Sequence, residues 1–188
     1  MSDGVRELGK ARRREAILRA AITLFAERGF ETTTIADIAE RAEVSARTVT
    51  LYFPSKLDLA LTQVTSMTER LAATLRVRRV DQSALDALEQ WLREELTSGN
   101  ALDEVCERML DLNPDLKAIA NARVSEVVEE GARRLAEETG GTPHDFGPRM
   151  VAAAAAAIVA ELLRTRETAG IEAAMAFLRA GLATLSER

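Results

Sequence analysis

Residues 34–53 read TIADIAERAEVSARTVTLYF, and no other stretch restricts the possible fold as much. Ile35, Ile38, Ala39 and Ala42 recur at i, i+3, i+4 and i+7, so one helical face is apolar. A second short run sets Val49, Tyr52 and Phe53 on one face and turns Ala46, Arg47, Thr50 and Leu51 elsewhere. Glu43-Val44-Ser45 lies between the two runs, and Ser45 suits an N-cap because its hydroxyl accepts from an otherwise unpaired amide of the second helix. Two short helices with a tight turn between them, the second showing small polar and basic side chains, make a helix-turn-helix. A helix of that kind fits the major groove of DNA, where its exposed side chains reach base edges.

The flanks extend this pattern. Ile17, Ala20, Ala21, Leu24 and Phe25 repeat the helical spacing upstream, and Gly29 is placed to end that helix in the left-handed conformation. Downstream, Pro54 disfavours helical geometry at Phe53, and Ser55 can cap the next helix. The segment Ala11–Leu61 closely resembles the DNA-binding domain of TetR-family transcriptional regulators. The matching residues are AILRAAITLFAERGFETTTIADIAERAEVS and then RTVTLYFPSKLDL, with the Tyr-Phe pair and the following Ser-Lys in register. The likeness covers roughly the first third of the chain; the rest matches the family only in length and helical character. Two positions depart from the family pattern. Glu43 stands in the turn where glycine is usual, and Thr50 stands where an aromatic residue is common.

Composition agrees with a helical protein of one or two compact domains. The 188 residues are 47% hydrophobic and only 4% aromatic, with four prolines. The longest uncharged apolar run, Met150–Ala160, has 11 residues, short of the roughly 20 that a membrane span needs, so no membrane association is expected. The first residues, MSDGVRELGKARRRE, are too polar for a signal peptide. One cysteine, Cys106, excludes an internal disulfide and fits a reducing cytoplasm. It reads either as a redox sensor or, the favoured reading, as a small buried hydrophobe.

The net charge of −5 argues against DNA binding until its distribution is considered. Residues 1–56 carry ten Lys/Arg against eight Asp/Glu, net +2, and the remainder carries 15 against 22, net −7. The basic excess therefore coincides with the helix-turn-helix and can neutralise a few phosphates there. Lys10, Arg12, Arg13 and Arg14 form a basic arm that either reaches flanking DNA or is simply solvated.

Periodicity predicts nine helices and no strand, an all-α fold. The first three are expected near 10–28, 34–42 and 46–53, and the fourth from Ser55 to about Val80. Ser83-Ala84-Leu85-Asp86 reads as a capping-box variant that opens a fifth helix, to about Thr97. Ser98-Gly99-Asn100 is expected to break the chain before a sixth. Asn113-Pro114 starts a seventh, with asparagine as cap and proline at the first helical position, running to about Glu138. Thr139–Pro148 reads as a loop, followed by helices near 149–167 and 171–186. The last two carry apolar seams: Val151, Ala155, Ile158 and Leu162 on one, Ile171, Met175, Leu178, Leu182 and Leu185 on the other. Alternating spacings of four and three suit shallow-angle helix packing, and Val151, Ala155, Ile158, Leu162, Met175, Leu178 and Leu182 are the expected dimer interface. The run Ala152–Ala157 is small on every side and can be approached from two directions. The expected domains are a DNA-binding domain at 10–56, with the helix-turn-helix at 34–53, and an effector-binding and dimerisation domain at 57–188.

The resemblance assigns roles to residues. It implies that Ala46, Arg47, Thr50 and Leu51 face the major groove, while Thr34, Ser45, Thr48, Tyr52 and Lys56 hold the phosphate backbone. Residue chemistry suits that division, since arginine pairs bidentately with guanine and hydroxyls or lysine suit phosphate. The family also implies a pocket among helices four to seven, for which Met67, Leu71, Trp91, Met109 and Val124 are candidate linings, though ordinary core is the commoner role for such residues. His144 has no partner at metal-ligand spacing, and no catalytic set, phosphate loop or Cys/His cluster appears. No cofactor, metal or catalytic residue is therefore expected. The function expected is a regulator, a ligand-responsive repressor that binds a palindromic double-stranded DNA operator as a homodimer. Its small-molecule effector is unknown. Alternatives are an activator, a dimeric DNA-binding protein without an effector and, opposed by the missing catalytic constellation, an all-α enzyme.

Overall fold

In the computed structural model, which describes residues 2–79, 81–98 and 101–186, the protein is built from helices alone. They are α1 (Ser2–Arg28), α2 (Ile35–Arg41), α3 (Ala46–Tyr52), α4 (Lys56–Val77), α5 (Ala84–Ser98), α6 (Ala101–Leu112), α7 (Pro114–Thr139), α8 (Phe146–Thr165) and α9 (Ile171–Ser186). The expected end of α4 at Val80 and the break at Gly99-Asn100 fall outside the described residues.

Local chemistry sets most of the ends. Gly29, at φ 88°, stops α1, and its amide donates to the Phe25 carbonyl at 3.0 Å. Thr34 and Asp37 form a capping box at the start of α2: the Thr34 hydroxyl accepts from the Asp37 amide, and the Asp37 carboxylate accepts from the Thr34 amide. Ser45 caps α3, Ser55 caps α4, and Ser83 with Asp86 makes a second capping box at α5. Each such cap stabilises its helix by about 1 kcal/mol. Asn113 differs from expectation. Its side chain does not cap α7 but accepts from the Phe30 amide at 2.8 Å and donates to the Met109 carbonyl at 2.6 Å.

The loop expected at 139–148 is shorter in the structure, because Phe146, Gly147 and Pro148 form the first turn of α8. Proline is tolerated there, since first-turn amides have no helical partner to lose. Helix α8 is thereby long and apolar enough to cross a membrane by length and composition. Counting only the uncharged run misses this, because the helix reaches past that run at both ends. In the structure Val151, Ala152, Ala155 and Leu162 of α8 enter a protein core.

The chain divides into two compact units, residues 1–65 with 100–120 and residues 66–99 with 121–188, so that α4 and α7 are each shared between them. The first unit packs α1, α2, α3, the start of α4, α6 and the start of α7. Ile17, Phe25, Ile38, Val49, Phe53, Leu59 and Met109 form its core. The packing therefore does not divide at 56/57: α6 lies against α1, and Leu102, Cys106 and Met109 are its inward face. The Cys106 thiol is pushed up to about 12 by burial and then by Asp103 and Glu107, so it stays protonated at neutral pH.

The second unit packs the rest of α4, α5, the rest of α7, α8 and α9 around Leu85, Leu92, Leu135, Val151, Met175 and Leu178. Its one buried carboxylate among the described residues, Glu130, is matched by Arg134 at 2.8 Å, by Arg76 at 3.5 Å and by Arg133. An unpaired charge at that depth would cost several kcal/mol, on the order of 3–5. On the surface, Arg179 of α9 bridges to Asp86 at 2.8 Å and Glu89 at 2.7 Å on α5.

Candidate functional site

The turn before α3 is tight. The Glu43 amide donates to the Glu40 carbonyl at 3.1 Å and the Val44 amide to the Ala39 carbonyl at 2.9 Å. This geometry puts Glu43 at φ 54°, in the left-handed region. A side chain there costs roughly 1–2 kcal/mol. From that turn, Ser45 begins α3 with its hydroxyl 3.0 Å from the Thr48 amide.

Helix α3 then has one face in the core and one in solvent. Val49 is fully buried, against a core that includes Ile38, Ala39 and Phe53. Ala46, Arg47, Thr50 and Leu51 are all exposed, Leu51 at 81%. The structure thus brings the four residues assigned to base reading onto one free helical face. Among the described residues the Arg47 guanidinium has no ion-pair partner, so its fork of donors is free to pair with a base. The Thr50 hydroxyl donates within the helix to the Arg47 carbonyl at 3.1 Å.

Residues assigned to the phosphate backbone are less uniform. Thr34 and Ser45 are exposed beside α3, with Thr48 and Tyr52 partly so. Their hydroxyls are partly engaged: Thr34 with Asp37, and Ser45 with Thr48 at 2.8 Å. Lys56 is placed differently from the expectation. Its ammonium donates to the carbonyls of Phe30 at 2.8 Å, Thr33 at 3.2 Å and Glu31 at 3.4 Å, and it lies 4.3 Å from the centroid of the Phe30 ring. Three donors are directed at three carbonyls, so Lys56 braces the loop between α1 and α2. The basic arm is also not an arm. It is helical within α1, with Lys10 paired to Glu7 at 2.7 Å and the Arg14 guanidinium 4.9 Å from the Phe53 ring centroid. Arg12 and Arg13 remain exposed.

The second unit holds a cavity of about 140 Å³. Met67 and Leu71 of α4, Trp91 of α5 and Val124 of α7 line it. Met109 does not; it is fully buried in the core of the first unit. Helix α8 contributes a further wall that the sequence candidates omit, including Ala152, Ala155, Ala156 and Val159. Its signal is the small-residue run, which suits a cavity wall as well as close helix approach. The buried indole nitrogen of Trp91 has no hydrogen-bond acceptor among the described residues.

The expected dimer seam needs correction. Val151, Ala155, Leu162, Met175 and Leu178 are buried within the single chain, at 8% exposure or less, and Ile158 and Leu182 pack against the same core. The periodicity marks a true seam, but that seam points inward. The opposite sides of α8 and α9 expose Phe146 at 67%, Met150 at 46% and Phe177 at 65%, with Ala153, Ala157, Ala173, Ala176 and Ala180 between them. These positions also alternate by four and three. Among the described residues no group of three or more His, Cys, Asp or Glu is placed to hold a metal ion.

Comparison with known proteins places these features. The family described as "Bacterial regulatory proteins, tetR family" matches residues 17–62, which contain the helix-turn-helix. The HTH-type transcriptional regulator TcmR of Streptomyces glaucescens is 32% identical over 160 residues, 80% of this chain and 71% of its own length. The HTH-type transcriptional regulator RutR of Escherichia coli (strain K12) is 30% identical over 132 residues, 64% of this chain and 62% of its own length. Among solved structures, Salmonella enterica GusR superposes with a TM-score of 0.64 at 22% identity, covering 94% of this chain and 96% of that one.

Proposed function

Because the chain belongs to the tetR family of bacterial regulatory proteins, and is thus a DNA-binding transcriptional regulator, we propose that it is a ligand-responsive repressor acting in the cytoplasm as a homodimer on a palindromic operator. The observation that carries the DNA half of this reading is the free face of α3. Arg47 is the base-reading residue, suited to a guanine, and the exposed Leu51 and Ala46 suit thymine methyl groups. Thr34, Ser45, Thr48 and Tyr52 fix the register on phosphate oxygens. In this reading residues 10–56 carry the DNA-binding role and the remainder carries effector binding and dimerisation.

One seven-residue helix reads only a few base pairs, so two copies act together on half-sites about one DNA turn apart. The exposed apolar faces of α8 and α9 supply a self-complementary surface for that pairing. Ligand response is supported by helix α4, whose first residue braces the α1–α2 loop and whose later turns line the cavity. An occupant that favours one placement of α4 over another would change operator affinity by its differential affinity for the two states.

Footprinting of the purified protein across bacterial promoter DNA, beginning with the promoter of its own gene, tests the reading. The expected result is a two-fold symmetric protected site spanning two successive major grooves. An asymmetric footprint of a single half-site, or binding without sequence preference, would overturn the palindromic dimer.

A further inference from the structure

Resting on the DNA-binding half of the proposed function, we propose that the first turns of α1 make a second DNA contact, in which Arg6, Lys10 and Arg13 neutralise backbone phosphates flanking the base pairs that α3 reads. The charge distribution is the first observation. Residues 1–14 carry five Lys/Arg against two Asp/Glu, net +3, whereas residues 15–56 carry five against six, net −1. The positive excess of the DNA-binding part therefore lies wholly ahead of the helix-turn-helix. The cations of 15–56 are also mostly engaged. Arg19 is paired with Glu15 and Arg41 with Glu27, Arg28 stands near Asp37, and Lys56 is held on backbone carbonyls. Neutralised phosphates supply a large share of affinity for DNA, and Arg47 by itself is too little for that.

The fold puts the missing cations beside the recognition helix. Ile17 of α1 is buried in one core with Val49 and Phe53 of α3 and its cap. Arg6, Lys10, Arg13 and Ile17 stand at i, i+4, i+7 and i+11, so the cations continue the side of α1 that carries Ile17. The Arg14 guanidinium lies 4.9 Å from the Phe53 ring centroid, which marks where α1 passes the C-terminal end of α3. From Arg14 back to Arg6 the helix runs about 12 Å further. Arg6, Lys10 and Arg13 are exposed, and Arg13 has no ion-pair partner among the described residues. Lys10 shares an exposed pair with Glu7, and such surface pairs are weak enough to yield to a phosphate. Shape decides which part of the DNA is met. A helix with its side chains is about 10–12 Å across, whereas the minor groove is about 6 Å wide, so α1 cannot enter it. The phosphate backbone remains, and it carries no direct sequence information.

The test compares the full-length wild type with Arg6→Gln/Lys10→Gln/Arg13→Gln, which keeps good helix formers at exposed positions, and with Arg12→Gln, which removes a charge from another side of α1. The probes are the duplex protected in the footprint, extended by its flanking base pairs, and a random-sequence duplex of the same length, each titrated with salt. In the triple variant the slope of log affinity against log salt should flatten by about two to three per bound chain, on both duplexes alike. Arg12→Gln should leave it unchanged. An unchanged slope in the triple variant makes the strip a solvated face and overturns the proposal, as does an equal effect per charge in Arg12→Gln. A loss confined to the protected duplex shows base reading and overturns the phosphate role. Wild type alone gives a second measurement that does not depend on the folding of any variant. Ethylation of phosphates just outside the bases read by α3 should interfere with binding, and no interference there overturns the contact. A wild type without sequence preference removes base reading by α3 but leaves the slope comparison on random DNA in force, so the two readings fail separately.

Discussion

The Lys56 ammonium lies 2.8 Å from the backbone carbonyl oxygen of Phe30 and 4.3 Å from the centroid of the Phe30 ring. The amide of Phe30 is held in turn by the Asn113 side chain at 2.8 Å. The loop that leads from α1 into the helix-turn-helix is therefore gripped on its carbonyl side by the first residue of α4 and on its amide side by the elbow between α6 and α7. This arrangement gives Lys56 a structural task where sequence similarity suggested a phosphate contact. Replacing it with methionine keeps the stem over the ring and removes the donors. Lys56→Met is expected to lower stability by about 2 kcal/mol, the scale of hydrogen bonds from a charged group, and to leave the salt dependence of operator binding unchanged. Denaturant unfolding and a salt titration on one DNA fragment check both parts. A salt slope reduced by about one charge would restore Lys56 to the phosphate backbone.

Base reading is expected to depend on Arg47. Arg47→Ala should weaken specific operator binding by about 1–3 kcal/mol and relax preference at one base position, with a far smaller loss on non-specific DNA. Competition binding against a set of single-base operator variants measures this. Equal losses on specific and random DNA would count against a base contact.

Glu43 sits at φ 54°, and glycine adopts that conformation without penalty. Glu43→Gly should relieve roughly 1–2 kcal/mol of strain and lose about 0.4–1 kcal/mol to the more flexible unfolded chain. The net expectation is a modest stabilisation. A lower thermal midpoint would show that the Glu43 side chain makes a contribution larger than its strain.

Adjacent residues on α9 separate association from folding. Phe177 is 65% exposed and Leu178 only 1%. If the proposed dimer forms through this side, Phe177→Glu should give a folded monomer with greatly reduced operator affinity, because its own chain leaves that side chain uncovered. Leu178→Glu should instead prevent folding, since it buries a carboxylate in the chain's own core. Sedimentation and circular dichroism on the two variants decide between these outcomes, and a dimeric Phe177→Glu would remove this face from the interface.

The junction of α5 and α9 predicts an acid-sensitive component of stability. Asp86 is held below the ordinary carboxylate range, first by its hydrogen bond with Ser83 and then by Arg179, and Glu89 is lowered by Arg93 and then Arg179. Both groups have folded-state values below their unfolded ones. Their contribution is therefore complete above the unfolded carboxylate pKa values, near pH 4, and is lost as pH falls below them toward the lowered folded-state values. Arg179→Met should reduce stability at pH 7 and show a smaller further loss between about pH 5 and pH 3 than the parent. Parallel slopes for the two proteins in that window would remove Arg179 from the effect.

Most helices and the helix-turn-helix are legible in the sequence because the interactions that define them are local. Ser45, Ser55 and Ser83 cap amides three residues ahead, Gly29 closes the turn just behind it, and the spacing of Ile35, Ile38 and Ala39 sets a face within two turns. For the same reason Glu43 stands out as a residue in a glycine position. The cavity is partly legible, since Met67, Leu71, Trp91 and Val124 each lie on an apolar stripe, but Met109 lies on one too and belongs to the core of the other unit.

Direction and partnership come from the packing instead. Helices α8 and α9 each carry apolar residues on more than one side, and spacing puts Leu178 on a seam without saying whether that seam meets the chain's own core or a partner; the packing of α5 and α8 against α9 buries Leu178 and leaves Phe177 in solvent. Helix α6 joins the first unit because its inward face meets α1, a pairing between segments far apart in the chain. Lys56 and Asn113 take their tasks from carbonyl and amide groups of Phe30, 26 and 83 residues away. Hydrophobic burial is non-directional, and long-range hydrogen bonds need a folded chain to bring their partners together. The helices and their ends are thus written in local residue order, whereas the fold chooses which apolar faces it buries and which surfaces it leaves exposed.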